Sequence, residues 1–230
     1  IYGSSAYKSQ QAQSLDAALT QFGIAADESW SETTGSNQQT APSNPTSEKS
    51  WTLTQDEIKD IIKDAYVRGS KDATVTILEF ADLECPYCKR FEEQGTIESV
   101  LSKYEWKVNS TFKHFPLSFH QYAMTWAKIL ECVGQISKWD KYYSFLSASA
   151  KTSETTEETL MSAAKDQGID EKKLNDCLAK SDFTAKINAD QALWQSKFSI
   201  SGTPASVIIN DKTGEWELVS GAVPASSLET

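Results

Sequence analysis

The chain has no run of 18 apolar residues, so no segment of it reads as a membrane-spanning helix. It has no excess of basic charge either: 22 Lys and Arg stand against 32 Asp and Glu, a formal net charge of -10. A nucleic-acid-binding surface is therefore not expected, and acidity of this kind serves solubility. Only two histidines occur, His114 and His120, without the spaced partners that metal ligation needs. No internal repeat is visible. A leading Met is also missing: the chain opens at Ile1, as a trimmed or processed protein would, and a signal peptide or anchor could have preceded it. What is present is aromatic mass, with seven Trp, eight Tyr and nine Phe in 230 residues. That suffices for a real core in one large domain or a domain with an insertion. Four cysteines assign no compartment by number alone; their arrangement has to do that.

Residues 1–50 differ from the rest. Ala12, Leu15, Ala18, Leu19 and Phe22 fall at helical spacing before Gly23. From 31 to 50, sixteen of twenty residues are Ser, Thr, Asn, Gln, Pro or Gly, a composition that cannot bury enough apolar surface to fold. This reads as a polar linker, with Trp30 and Trp51 at its ends. Thr54-Gln55-Asp56-Glu57 then forms a capping box ahead of a helix whose apolar face is Ile58, Ile61, Ile62 and Ala65. A β-branched, aromatic stretch over 74–82 reads as a strand. Pro86 suits the first turn of a helix reaching about Tyr104, with Gly95 as a kink. A second strand follows around 106–112. Strand, helix and strand in about forty residues make a βαβ unit with parallel strands.

From His120 to Phe198 the pattern is helical. Tyr122, Trp126, Leu130 and Val133 line a helix that Gly134 closes. Trp139, Tyr142, Tyr143 and Leu146 line the next. Thr155 and Glu158 open a third that Gly168 stops, and Asp170 caps a fourth holding Leu174, Cys177 and Leu178. Phe183, Ile187, Trp194 and Phe198 define a fifth, with Asp190 and Gln191 leaving its stripe polar in the middle. After Gly202-Thr203-Pro204, residues 205–209 return to strand. A turn over 210–214 leads to a hairpin partner at 216–219, and 224–228 look like the start of a last helix.

The most telling motif is Cys85-Pro86-Tyr87-Cys88, set where a strand hands over to a helix. A thiolate is the attacking species in disulfide exchange, and unpaired amides and the macrodipole at a helix N-terminus stabilise it. Cys85 occupies that position and reads as the nucleophile. Cys88, one turn in, reads as the resolving thiol. On the motif alone, a zinc half-site or a pair of core thiols remains open. Glu79 lies on an otherwise apolar strand, where a carboxylate is costly to bury without purpose. It is a candidate to take the proton from Cys88, or else an outward-facing strand residue. Thr203-Pro204, entering an apolar strand, is a candidate cis peptide, although a trans turn is the default before Pro.

Residues 80–88 (FADLECPYC), Lys113-His114-Phe115-Pro116-Leu117 with His120 behind it, and Gly202-Thr203-Pro204 together resemble the DsbA-like thiol–disulfide oxidoreductases. The branch resembled includes DsbG-like and BdbD-like proteins, and the likeness covers about residues 66–228. It implies an α/β thioredoxin fold with a helical domain inserted between its βαβ and ββα halves. The expected organisation is an extension and linker over 1–50, a thioredoxin-like domain over 51–118 and 199–230, and the helical insert over 119–198. The resemblance also implies that Cys85 and Cys88, with Pro86 and Tyr87 between them, are the redox pair. Thr203 and Pro204 would form the cis-Pro loop whose backbone pairs with a substrate chain. Glu79 matches the family's buried acid.

Strong oxidants of that family carry His between the cysteines. Here Tyr87 cannot be cationic and Glu84 adds an acid beside Cys85, so a potential of about -130 to -240 mV is expected, between a DsbA-type oxidant and thioredoxin. Cys132 and Cys177 lie on apolar helix faces of the insert. A structural disulfide between them is expected in an extracytoplasmic protein, the alternative being two buried thiols. His120 is expected at a helix N-terminus near the groove. The sequon Asn109-Ser110-Thr111 falls inside a strand and reads as chance. No cofactor and no metal are expected. The function read from all this is an extracytoplasmic oxidoreductase, periplasmic or at the cell surface, introducing disulfides into substrate polypeptides. A membrane-bound redox partner would recycle it, with a tether at the N-terminal side. A reductase or isomerase of the same fold, or a non-redox peptide-binding chaperone module, are the alternatives.

Overall fold

A computed structural model describes residues 52–138 and 140–222. The helix expected before Gly23, the polar linker with Trp30 and Trp51, Trp139, and the last helical turn at 224–228 lie outside the described residues.

The sheet is mixed and five-stranded, in the order β1-β3-β2-β4-β5. Its strands are β1 (Val67–Gly69), β2 (Val75–Ala81), β3 (Val108–His114), β4 (Ala205–Asn210) and β5 (Trp216–Ser220). β2 runs parallel to β3, as a βαβ unit requires, and antiparallel to β4; β4 and β5 form the hairpin. β2 is the middle strand and every residue on it is buried. Its Val75 and Ile77 face a cluster with Phe91, Ile97, Val100 and Tyr104. Leu78 and Phe80 face another with Leu53, Ile58, Ile61 and Phe198. Both sheet faces are covered, so no position on β2 looks outward, Glu79 included.

The capping box at Thr54 and Glu57 forms and starts α1 (Gln55–Ile62), but Ala65 lies beyond its end. The helix expected from Pro86 to Tyr104 is two helices, α2 (Pro86–Glu93) and α3 (Thr96–Lys103). Gly95 between them is in the left-handed region at φ 61°, which breaks the helix where a kink was expected. β1 has three residues and no periodicity to betray it; it pairs antiparallel with β3 through Val67, Arg68 and Gly69.

Helices α4 (Ala123–Ser137), α5 (Tyr142–Ala150), α6 (Glu157–Asp166), α7 (Glu171–Lys180) and α8 (Thr184–Leu193) stand between β3 and β4 in the chain. This is the thioredoxin α/β fold with a helical insert. Gly134 does not close α4, which runs on to a left-handed Lys138. The glycine is there because the Tyr66 ring lies over it: a Cβ would sit 2.5 Å from Tyr66 Cζ. The capping box of α6 is Thr156 with Thr159, one residue later than expected. Thr155 instead donates to the Leu83 carbonyl, just ahead of the dithiol. Asp170 caps α7 as expected. The fifth helix ends in a π-turn, Trp194–Phe198, which packs Phe198 onto the sheet against Phe80. Its polar middle also has a reason. Asp190 pairs with buried Lys113 at 3.1 Å and accepts the His114 amide, and the Gln191 amide donates to the Pro116 carbonyl. Among the described residues, no helix is long and apolar enough to cross a membrane.

Candidate active site

At the C-terminal end of β2, residues 82–84 turn the chain into α2. Cys85 is the residue before the first helical turn, with extended φ and ψ, and Pro86 follows at the first helical position, where its missing amide costs nothing. The Cys85 carbonyl accepts the amides of Cys88 and Lys89, both at 3.1 Å. Cys88 lies within that first turn and is wholly buried. Both thiols are free. Across the groove, the Thr203–Pro204 peptide is cis, and the Thr203 carbonyl oxygen lies 3.8 Å from Cys85 Sγ. The fold thus brings together Cys85, Cys88, Pro86 and the Thr203-Pro204 loop. Tyr87 projects outward, 58% exposed, with the Arg90 guanidinium over its ring.

The two sulfurs differ sharply. The hydrogen bond from the Cys88 thiol, with help from the Thr203 hydroxyl and the Cys88 and Tyr87 amides, brings Cys85 down to about 5 against its partial burial. The Thr203 hydroxyl is buried and makes no full hydrogen bond. That value falls between those of DsbA and thioredoxin nucleophiles, about 3.5 and 7. Burial first, then its bond to Cys85 and the charge there, pushes the Cys88 thiol well above the ordinary range. The pair at rest is therefore a thiolate beside a thiol.

Glu84 was expected to oppose the thiolate. Its carboxylate instead accepts the amides of Gln121 and Tyr122 at 3.2 and 2.6 Å, tying the start of α4 to the dithiol loop. Asp82, missed in the sequence, is buried and holds the same loop: it accepts the Glu84 amide at 2.8 Å, the Leu117 amide at 2.9 Å and stands 2.7 Å from His120 Nδ1. Its own amide donates to Cys88 Sγ at 3.5 Å. The signal for it was an acid inside the apolar residues 80–83. His120 accordingly serves the loop just before α4. Phe119 stacks edge-on against His120 and is 77% exposed. His114 is elsewhere, buried 2.8 Å from Glu131, which also receives Lys186.

Glu79 is buried and its partner is Arg68 of β1, at 3.0 Å. Arg68 also reaches Glu92 of α2 at 3.8 Å and Glu98 of α3. Burial, with the Glu92 charge next, pushes the Glu79 carboxyl well up. Cys132 and Cys177 are joined as a disulfide linking α4 to α7. The sequon residues are buried in β3. Among the described residues, no group of three or more His, Cys, Asp or Glu is placed to hold a metal.

The fold and this dithiol define a class, the DsbA-like thiol–disulfide oxidoreductases. The family model Thioredoxin_4, described as thioredoxin, matches residues 60–222, and the chain belongs to that family. A thioredoxin-like oxidoreductase of Silicibacter pomeroyi superposes with a TM-score of 0.62 at 26% identity, over 74% of this chain and 92% of that one. The thiol–disulfide exchange protein α-DsbA2 of Wolbachia pipientis gives 0.62 at 25% identity, over 76% and 89%. BdbD of Bacillus subtilis shares the fold, at 0.59 and 24% identity over 73% and 90%. In sequence, 141 residues are 29% identical to part of the Na(+)/H(+) antiporter NhaA 1 of Salinispora arenicola, covering 60% of this chain. The chain spans about a fifth of that relative's length (21%).

Proposed function

We propose that the chain is an extracytoplasmic oxidoreductase that passes a Cys85–Cys88 disulfide to reduced substrate polypeptides. A substrate thiolate attacks Cys85 Sγ, the Cys85–Cys88 bond breaks, and Cys88 takes the electron pair and then a proton. A second substrate thiolate attacks the mixed disulfide, the substrate gains its disulfide, and Cys85 leaves as a thiolate. The observation that carries this reading is the asymmetry of the pair. A thiolate held at about 5 is a good leaving group and stabilises the reduced enzyme, which makes the disulfide oxidising. The cis Thr203-Pro204 loop beside Cys85 supports strand-like docking of the substrate backbone next to the reacting sulfur. Residues 51–118 with 199–230 then serve as the redox domain and 119–198 as its cover. The Cys132–Cys177 bond favours an oxidising compartment, and a membrane-bound oxidant is the partner that recycling requires.

The test is a glutathione redox titration combined with trapping on a Cys88→Ser variant. A potential within about -130 to -240 mV is expected, together with substrate polypeptides captured as mixed disulfides at Cys85. A value near that of thioredoxin, with insulin reduction as the only activity, would assign the chain as a reductase. Loss of no activity in Cys85→Ser would exclude redox chemistry.

A further inference from the structure

Asp82 touches both halves of the dithiol through its backbone. Its carbonyl accepts the Cys85 amide at 2.9 Å, and its own amide donates to Cys88 Sγ at 3.5 Å. A thiol sulfur is a weak acceptor, so the second bond does little in the resting pair. It strengthens when the sulfur is an anion, which Cys88 becomes whenever the Cys85–Cys88 bond breaks or forms. Cys88 is wholly buried, so the protein itself has to stabilise that anion. Burial and then the neighbouring Cys85 oppose its formation, while the Thr203 side chain and the Asp82 amide favour it.

The Asp82 peptide is oriented by the place where its carboxylate is held. Oδ1 accepts the Glu84 amide at 2.8 Å, a bond within the dithiol loop itself. Oδ2 ties the loop to the segment between β3 and α4: it accepts the Leu117 amide at 2.9 Å and stands 2.7 Å from His120 Nδ1. With two amides already donating to this carboxylate, Nδ1 completes the set as the third donor. The His120 amide donates to the Leu117 carbonyl at 3.0 Å, closing a turn that brings the Leu117 amide and the imidazole to one oxygen. The Asp82 side chain is 0% exposed and that of His120 16%. Of the three donors, His120 alone contributes a side chain, and so it is the one that a substitution can remove.

We propose that His120 is a positioning residue for the exchange: by holding the Asp82 carboxylate it keeps the Asp82 amide on Cys88 Sγ, where that amide receives the departing thiolate. The proposal rests on the exchange activity proposed above. A substrate thiol loses its proton to solution and attacks Cys85 Sγ. The Cys85–substrate bond forms, the Cys85–Cys88 bond breaks, and the electron pair goes to Cys88 Sγ, which faces the Asp82 amide. Cys88 then takes a proton back from solution. In reverse, Cys88 gives up its proton, its sulfur attacks Cys85 Sγ as an anion held by the same amide, and the electron pair leaves on the substrate sulfur. The amide thus stabilises a species that is present only during the reaction, in both directions. A group of that kind sets rates and leaves the equilibrium between the two ends unchanged.

The experiment measures both directions with glutathione in the full chain and its His120→Ala, His120→Phe and His120→Asn variants. One arm mixes oxidised chain with reduced glutathione; the other loads Cys85 with glutathione and follows its release by Cys88. His120→Phe keeps a ring against Phe119 without the donor, and His120→Asn keeps an N–H donor near the place of Nδ1. In His120→Ala and His120→Phe both rates are expected to fall about ten-fold, less than the loss of an anion-binding donor outright because the amide is loosened and not removed. The glutathione redox potential and the Cys85 ionisation midpoint should stay at the wild-type values, the latter also certifying the fold, and His120→Asn should recover both rates. Wild-type rates in His120→Ala and His120→Phe overturn the proposal, as does a His120→Asn as slow as His120→Ala. A potential or a Cys85 midpoint displaced together with the rates overturns it too, since His120 would then act on the resting structure. Should His120→Ala not fold, the Phe and Asn variants alone decide. Failure of the unmodified chain to exchange with glutathione in either direction would sink the exchange reading itself, a separate outcome.

Discussion

The carboxylate of Glu84 accepts the amide of Tyr122 at 2.6 Å, although 38 residues separate them in the chain. Tyr122 is the residue before the first turn of α4, so Glu84 acts as the helix's missing capping acid from another part of the fold. The charge is stabilised there by unpaired amides and the helix dipole. It is thus held by the Gln121 and Tyr122 amides where it might have opposed the neighbouring Cys85 thiolate. Glu84→Ala should cost about 1 kcal/mol of stability, the usual value of a lost cap. Thermal unfolding measures that loss. The midpoint of Cys85 ionisation should hardly move, and a fall in that midpoint would mean that Glu84 does act on the sulfur.

The Cys85 thiol itself should ionise near pH 5, read as ultraviolet thiolate absorbance on the reduced chain. Thr203→Val removes a buried hydroxyl whose side chain helps to hold Cys85 down, and should raise the midpoint. The sign for stability follows from the depressed value. Between about pH 5 and an unfolded thiol's value of about 8.5, the unfolded chain binds one proton that the folded chain does not. The reduced protein therefore gains stability as pH rises through that window, and the gain is lost on acidification through pH 5. Comparing unfolding of reduced and oxidised protein across that range isolates Cys85 from the carboxylates. A difference that does not change with pH would contradict the assignment.

Asp190 joins α8 to β3 through two bonds, to the Lys113 ammonium at 3.1 Å and the His114 amide at 3.1 Å. Both charged side chains are under 10% exposed. Asp190→Ala would leave a buried ammonium unpaired, and a loss of about 3–5 kcal/mol is expected. A double variant that also replaces Lys113 with Met should recover much of it, because the isolated charge is then gone. Chemical denaturation of the single and double variants decides the matter.

What was legible in the sequence is what depends on near neighbours. The dithiol at a strand-to-helix junction, the capping box at Thr54, the Asp170 cap and the hairpin at 210–214 each lie within a few residues of their own signals. Glu79 could be recognised as costly because its own strand is apolar. Its partner could not, since Arg68 sits on a three-residue strand with no period to read. Gly134 looked like a helix terminator, because a glycine's position is visible but the Tyr66 ring above it, 68 residues upstream, is not. Asp190 read only as a polar break in an apolar stripe, and Glu84 as an acid opposing Cys85, for the same reason. Thr155 read as the cap of its helix, but the Leu83 carbonyl, far off in the chain, takes its hydroxyl. These misreadings concern polar or small residues whose roles are set by partners distant in sequence, whereas the break at Gly95 is set by its own left-handed backbone.

The disulfide between Cys132 and Cys177 should matter for stability and leave exchange chemistry intact. The cysteines are 45 residues apart in sequence. Cross-linking a loop of that size restricts the unfolded chain, and the chain-entropy model puts the stabilisation at about 4 kcal/mol. Replacing both cysteines by Ala should therefore lower the denaturation midpoint substantially. The bond holds α4 to α7, so the helical insert should become the first part to lose hydrogen-exchange protection. Mild reduction of the native chain should expose two titratable thiols, Cys85 and Cys88, and stronger reduction four. Four thiols under mild conditions would show that this bond is not a structural one. Resolution at Cys85 and Cys88 should persist in the double variant at temperatures where it stays folded, since neither sulfur of the structural pair belongs to the groove at Thr203.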